Sequence, residues 1–397
     1  MKGAVISSVC GDGDWVLSNN LVFSDKNKLK VNSDVTTYDA DAINYTPSEA
    51  DSYVNSAKEL IKSQKTGYTV PLKEVINGKL TGKIINHKID GCTTWDPSCK
   101  TVFDALSGYT KIVSTKEFNN QMADVIIVIK EWAEKHDKIV TNILKQSFVG
   151  ANQMKLSDSW SVKASEAVAS TYSFETPRYW YDMFKGYSGT KDGVEYSVGG
   201  SKVFNYSDCL QYFGLSDDAI NRYKSVYDQV STYLTELNPG DFNSTCKNGV
   251  IPYNQAVDLY FIKSINDIDA GTVEKANYST NKTEVLASGN WAINFETGSA
   301  NIKGSTKDLE TIYNLLIQAE NTKLNVVGFT DNTGNSDANI LLSKGRAQSV
   351  VMYLENKGIS GQRFQIVDGK GDTYPVGDNK TNEGKFKNRR VEITLLK

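Results

Sequence analysis

LNVVGFTDNTGNSDANILLSKGRA, residues 324–347, passes from strand to turn to helix within 24 residues. The apolar run Leu324-Asn325-Val326-Val327 reads as a buried strand that stops at Gly328. The polar stretch Thr330-Asp331-Asn332-Thr333-Gly334 reads as a turn, and Ser336 is placed to cap the helix that follows. Ala347, Val350, Val351 and Leu354 recur at helical spacing and give that helix an apolar stripe. Asn339, Leu342 and Arg346 share one helical face, which looks back over the turn carrying Asp331. A carboxylate and a guanidinium therefore approach one surface point with an amide between them. They could form a salt bridge. They could also hold a zwitterion, its ammonium on Asp331 and its carboxylate bidentate on Arg346, through charge-assisted bonds about twice as strong as neutral ones. Spacing alone favours the salt bridge.

The flanks carry a resemblance that changes that balance. Upstream stands Phe295 with Gly298-Ser299-Ala300. Around the turn come Gly328-Phe329-Thr330-Asp331 and Asn339-x-x-Leu342-Ser343-x-x-Arg346-Ala347. Downstream follow Tyr353-Leu354, Gly358-Ile359, Arg363, Gly369 and Gly371, Pro375, Asn379-Lys380-Thr381, Gly384 and Asn388-Arg389-Arg390-Val391-Glu392-Ile393. In this order the pieces make 291–397 resemble an OmpA-type C-terminal domain, the module that grips peptidoglycan. The resemblance implies that Asp331 and Arg346 bind the diaminopimelate residue of the stem peptide. Asn339 would be the polar link between the two charges, and Thr330 and Leu342 lie in the same motifs. One of Arg389 and Arg390 would support the anion side, the other serving at the surface or in a salt bridge. Phe329 departs from the family, which often has histidine there; neither charged anchor is affected.

The expected fold of 291–397 is a βαβαβ-type α/β sandwich. Strands are expected near 291–295, 323–329, 364–368 and 391–396, and helices near 305–319 and 336–357. Ser305-x-x-Asp308 opens the first helix like a capping box. Leu309, Ile312, Leu316 and Ala319 form its buried stripe.

Composition bounds the rest. The chain has 397 residues, 39% hydrophobic and 23% charged, enough for two domains with real cores. A net charge of −3 argues against general nucleic-acid binding. No apolar run approaches the ~20 residues of a membrane span. The opening MKGAVISSVCGDGDW is too short in apolar residues for an export signal or for a lipoprotein cysteine at Cys10, so an upstream start or another route to the wall is expected. Cysteines at 10, 92, 99, 209 and 246 have no zinc spacing. Cys92 with Cys99 and Cys209 with Cys246 are possible disulfides in an oxidising compartment, and five reduced thiols are the alternative.

Between the termini the chain reads as α/β. A strand is expected at 4–8, a helix at 48–63 and a hairpin across 70–90 around Asn77-Gly78. Further strands are expected at 111–114 and, as a central strand, in the β-branched run 123–129. A long helix should cover 131–149 with Trp132, Ile139, Val140, Ile143 and Leu144 as its stripe. Aromatic helices follow over 158–187, then helices at 206–213, 217–236 and 253–264. The polar stretch 269–290 reads as a linker.

Lys2-Gly3-Ala4-Val5-Ile6-Ser7, Asp12-Gly13-Asp14-Trp15, Thr93-Thr94-Trp95-Asp96-Pro97 and 123–136 resemble, in order, the second lobe of a periplasmic solute-binding protein of the nitrate/sulfonate type. The expected N-terminal domain, 1–268, is thus a periplasmic-binding-protein-like α/β domain lacking its first lobe. The resemblance implies that Asp14, Trp15, Trp95 and Asp96 face a cleft for a small solute.

His87 and His136 are the only histidines, and neither sits in a triad or metal motif. No nucleophile elbow, HExxH or nucleotide-binding fingerprint occurs. The expectation is a non-enzymatic protein, with no cofactor and no metal, that anchors a solute-binding-like scaffold or sensor to the wall of the periplasm or cell envelope. Two alternatives stand beside it: a phage virion or tail component contacting the host wall, and a wall-tethered solute receptor.

Overall fold

In the computed structural model, residues 2–397 are described except 14, 19–29, 121–122, 124, 174, 218, 238–248, 274, 292, 294, 297 and 305. The chain forms two compact units. One comprises Met1–Val16, Asn32–Lys116 and Gln121–Lys275; the other Leu17–Val31, Glu117–Asn120 and Ala276–Lys397.

The strands of the first part of the chain are β1 (Val5–Ser8), β2 (Val31–Asn32), β3 (Thr37–Asp39), β4 (Ile43–Pro47), β5 (Thr69–Ile76), β6 (Lys79–Lys88) and β7 (Gly91–Cys92). In the first unit β1 lies between β4 and β7 and runs parallel to both. Its Ser7 and Ser8 are small enough to be buried, and their hydroxyls are satisfied by Glu59 (2.7 Å) and Thr93 (2.6 Å). Helix α1 (Tyr53–Thr66) starts five residues later than the hydrophobic pattern predicts. Ala50 and Asp51 have positive φ, so the helix is capped by Ser52 and ends at left-handed Gly67. Its Ala57 and Leu60 pack on Ile89, Val102 and Leu106. β5 and β6 form the expected hairpin, with Asn77 and Gly78 both at positive φ.

Several expectations fail here. Residues 111–114 form no strand. The run 123–129 is not a strand where it is described, and Ile127 is 90% exposed. β-Branched composition cannot make a strand without a neighbouring backbone to pair with. The long helix is broken at His136 into α3 (Lys130–Lys135) and α4 (Asp137–Leu156). The His136 ring stacks on Trp132 at 4.5 Å, and only Val140 of the proposed stripe is fully buried, whereas Ile139 and Ile143 are exposed.

Helices α2 (Asp96–Ala105), α5 (Asp158–Tyr172), α6 (Pro177–Lys185), α7 (Tyr206–Tyr212) and α8 (Arg222–Leu237) and the hairpin β8 (Tyr187–Lys191)–β9 (Val194–Val198) complete most of the unit. The helix expected at 253–264 is two short turns, α9 (Tyr253–Ala256) and α10 (Tyr260–Lys263). Cys92 and Cys99 pack in separate clusters. Cys209 is buried, and burial with Asp208 nearby pushes its thiol up to about 12. Its expected partner Cys246 lies outside the described residues.

The second unit holds a four-stranded sheet in the order β10-β13-β11-β12. β13 (Val391–Leu396) is antiparallel to both β10 (Val285–Trp291) and β11 (Lys323–Gly328), and β11 is parallel to β12 (Phe364–Gly369). The first strand begins six residues before its expected position, inside the stretch that reads as linker. Helices α11 (Lys307–Gln318) and α12 (Ser336–Asn356) bury Leu309, Ile312, Leu316, Ala347, Val350 and Leu354 with Leu324, Val326, Ile393 and Leu395 of the sheet. Ser305 lies outside the described residues; Thr306 stands at the N-cap of α11 and makes no side-chain cap bond. A short helix, α13 (Asn382–Asn388), precedes β13 and has no counterpart in the sequence reading.

α12 crosses the carboxyl ends of β11 and β12 at close range. A Cβ at Gly328 would lie 2.1 Å from the Ser343 carbonyl oxygen, and one at Gly369 would lie 2.2 Å from Lys344 N. Glycine is needed at both points for the helix to approach. The helix thereby brings Asn339 and Arg346 over the turn that follows β11.

Candidate functional site

The turn after β11 is pinned from both sides. Phe329 N donates to Arg390 O (2.9 Å), and Thr330 N donates to Gly371 O (2.8 Å). The Asp331 side chain, 10% exposed, emerges from this frame. Its Oδ1 accepts from Thr333 N at 2.8 Å, and its Oδ2 is paired with Arg389 Nη1 at 2.5 Å. Burial acts to raise the Asp331 carboxyl. Hydrogen bonds from Thr333 and Arg389 outweigh it and hold the carboxyl below its usual range.

Asn335 caps α12, accepting from Asp337 N (2.9 Å) and Ala338 N (3.2 Å), so the expected cap at Ser336 is displaced by one residue. One turn on, Asn339 Nδ2 donates to Asp331 O (3.3 Å) and Thr333 O (3.2 Å). The amide ties helix to turn backbone. It does not link the two charges, as the sequence reading had it.

Arg346 reaches the opposite side of the site. It is buried, its Nε donates to Ser299 O (3.1 Å), and its guanidinium lies over the Phe295 ring at 5.0 Å. Burial pushes this guanidinium down, the nearby charge of Arg389 adds to the effect, and Asp331 opposes it. Among the described residues no carboxylate pairs with Arg346. The direct Asp331–Arg346 salt bridge that spacing favoured is not formed; Arg389 occupies Asp331 instead.

Arg389 and Arg390 are sent in different directions. Asn388, fully buried, accepts from Val376 N and Gly377 N and donates to Gly377 O and Asn379 Oδ1, which fixes the chain ahead of β13. Arg389 then points to Asp331. Arg390 is buried, stacks on Phe329 at 3.8 Å, pairs with Glu392 (2.7 Å) and donates to Tyr374 O (3.1 Å). Thr330 is 5% exposed, and its Oγ1 is buried with no hydrogen-bond partner among the described residues. Leu342 is half-buried on the face of α12 that carries Asn339 and Arg346. Lys385, whose Nζ donates to Thr333 Oγ1 (3.2 Å), has no counterpart in the sequence expectations, and Asp331 is not foreseen there as the partner of Arg389. The Asn388-Arg389-Arg390 run at the start of a strand was the available signal for the second.

In the first unit the strands β1, β4 and β7 are parallel, so the loops after them leave one edge, as at ligand crevices of α/β sheets. Trp95 is 45% exposed there; its Nε1 donates to Ser98 Oγ (3.1 Å), and its ring lies 6.4 Å from that of Tyr53. The Tyr53 hydroxyl donates to Asp12. Asp96 is engaged in structure, accepting from Gly199 N (2.5 Å) and pairing with Lys111 (3.5 Å). Trp15 is 4% exposed and meets Tyr45 edge-on at 6.2 Å. Asp14 lies outside the described residues. Among the described residues no group of three His, Cys, Asp or Glu side chains could hold a metal, and no helix is long and apolar enough to cross a membrane.

Residues 294–389 match the OmpA family. The probable lipoprotein YiaD of Escherichia coli is 39% identical over 104 residues, 26% of this chain and 47% of that protein. The peptidoglycan-binding protein ArfA of Mycobacterium tuberculosis is 37% identical over 98 residues, 25% of this chain and 30% of that protein. The chain thus spans less than half the length of either. The uncharacterized protein YtxE of Bacillus subtilis is 30% identical over 196 residues, 47% of this chain and 80% of that protein.

Proposed function

The chain belongs to the same family as YtxE and carries an OmpA-family segment at 294–389, and we propose that it is a non-catalytic peptidoglycan-binding protein of the cell envelope. In this reading residues 291–397 grip the diaminopimelate of the stem peptide, with Asp331 taking the ammonium and Arg346 the carboxylate. Thr330, Asn339, Leu342 and Arg389 shape and balance the site, and Arg390 supports it from behind through Phe329. The observation that carries the reading is Arg346: a buried guanidinium with no carboxylate partner among the described residues, beside an Asp331–Arg389 pair. An incoming carboxylate would complete it with a charge-assisted, bidentate contact. A relative of this segment, ArfA, is itself named for peptidoglycan binding.

The test is co-sedimentation with purified sacculi of the diaminopimelate type. The wild-type chain should pellet with the wall. Asp331→Ala and Arg346→Ala should each weaken binding by about 30-fold or more, the scale of removing one partner of a buried charge pair, ~2–5 kcal/mol. Equal amounts of wild type and variants left in the supernatant would sink the proposal.

The finer organisation belongs to the same reading: residues 1–268 as a solute-binding-type scaffold and 291–397 as the anchor, with the end of the connecting stretch 269–290 taken into the anchor's sheet as β10. Its support is the parallel arrangement of β4, β1 and β7 and the exposed Trp95 beyond their carboxyl ends. A wall-tethered receptor would give a calorimetric signal with small anions or amines. Silence across such a panel leaves only the scaffold.

A further inference from the structure

The carboxylate that would receive the ligand's ammonium is already occupied. Arg389 Nη1 sits 2.5 Å from Asp331 Oδ2, and Thr333 N holds the other oxygen. The Arg389 side chain is 41% exposed, and among the described residues Asp331 is the only group to which its guanidinium is hydrogen-bonded or ion-paired. Arg346 lies close enough for the two guanidinium charges to act on each other. Around Asp331 the chain thus gathers the guanidinium groups of Arg389 and Arg346, with the Lys385 ammonium beside them on Thr333.

We propose that Arg389 is a mobile counter-ion that covers Asp331 and turns to the ligand's carboxylate when the ligand's ammonium takes Asp331. This rests on the reading of Asp331 and Arg346 as anchors. An ammonium arriving alone must displace Arg389 and leave two guanidinium groups side by side with no anion. That is a like-charge arrangement in a partly desolvated place. A carboxylate arriving alone satisfies Arg346 and leaves the Asp331–Arg389 pair intact. A group carrying both charges on one carbon exchanges partners completely: its ammonium meets Asp331, and its carboxylate bridges Arg346 and Arg389. One ion pair becomes three contacts with no charge stranded. Arg389 is thus a specificity-determining residue that selects an amphoteric amino-acid terminus over a simple amine. It also disfavours the carboxamide, which keeps one acceptor oxygen but turns an N–H donor toward the second guanidinium, itself only a donor.

The experiment uses the full chain and calorimetry with three soluble stem peptides. Their third residue is diaminopimelate with its side-chain carboxylate free, the same residue as the carboxamide, or lysine, which has the ammonium and no carboxylate. Wild type should bind the free acid at least about tenfold more tightly than the other two, by roughly 1.4 kcal/mol. In Arg389→Gln the free-acid peptide should weaken while the lysine peptide tightens, because Asp331 is uncovered, and the ratio between them should collapse. A residue that merely holds the fold would weaken all three together. The same free-acid-to-lysine ratio in wild type and Arg389→Gln, with unchanged melting curves, overturns the proposal. No binding of any peptide by wild type overturns the reading of the anchors on which it rests.

Discussion

Asp331 carries opposed influences, and their sign sets a pH dependence. Burial raises its carboxyl, the Thr333 and Arg389 hydrogen bonds lower it, and the balance is depressed. A carboxylate depressed by folding contributes stability that is complete above its unfolded value and is lost as pH falls through its folded value. The melting temperature of the second unit should therefore drop as pH is lowered below about 4, the ordinary carboxylate value. Asp331→Asn should shrink that drop without abolishing it, because Glu310 is depressed too: burial raises it, and Lys357 and Tyr353 outweigh the burial. Thermal melts of both proteins from about pH 6 to about pH 3, bracketing ordinary carboxylate values, check this; identical slopes would mean Asp331 contributes nothing. At this scale the sequence showed which residues converge but not how they pair. Asp331 and Arg346 are on adjacent elements, so helical spacing found them. Arg389 is 58 residues from Asp331. It arrives because β13 pairs with β11 in a register that sets Val391 opposite Gly328. Such long-range register is not written in local periodicity.

The elements of the site were legible where hydrophobic period and turn chemistry agree, as in β11, α12 and β13. Elsewhere the pattern misleads where a run lacks a partner, as at 125–129, which is apolar yet exposed. Caps are decided by backbone geometry within one residue, and the expected cap, Ser336, lies one residue past the observed one, Asn335. The structure makes these separable. Asn335→Ala should cost about 1 kcal/mol in urea unfolding, the usual worth of an N-cap, whereas Ser336→Ala should be near neutral. Equal effects would contradict the observed cap. Gly328 tests the crossing of α12 over the sheet. A methyl group there meets the Ser343 carbonyl, so Gly328→Ala should destabilise the unit by about 1–3 kcal/mol through overpacking. It should also weaken wall binding, because the displaced helix carries Asn339 and Arg346.

At the scale of the molecule, a division at 269–290 is cleaner in sequence than in structure. The second unit includes Glu117–Asn120, far upstream of the sheet it joins. Asn120 Nδ2 donates to Ile317 O (2.9 Å) and Glu320 Oε2 (2.9 Å), and its N–H donates to Gln318 O (3.2 Å), closing the carboxyl end of α11. Phe118 of the same segment is fully buried. No period or motif announces such a strap, because four residues are too few to carry one. A fragment beginning at 276 keeps every proposed anchor and loses the strap. Its last-turn carbonyls on α11 would then face water, at about 1 kcal/mol for each lost bond. The cover of a large aromatic goes as well, on the order of 3–5 kcal/mol by analogy with truncating a buried phenylalanine. The fragment should therefore still sediment with sacculi yet melt well below the corresponding transition of the full chain, by about 10 °C or more. Phe118→Ala in the full chain should lower that transition in the same direction. A fragment as stable as the full chain would remove the strap from the account of the fold; a stable fragment that ignores the wall would remove the anchor.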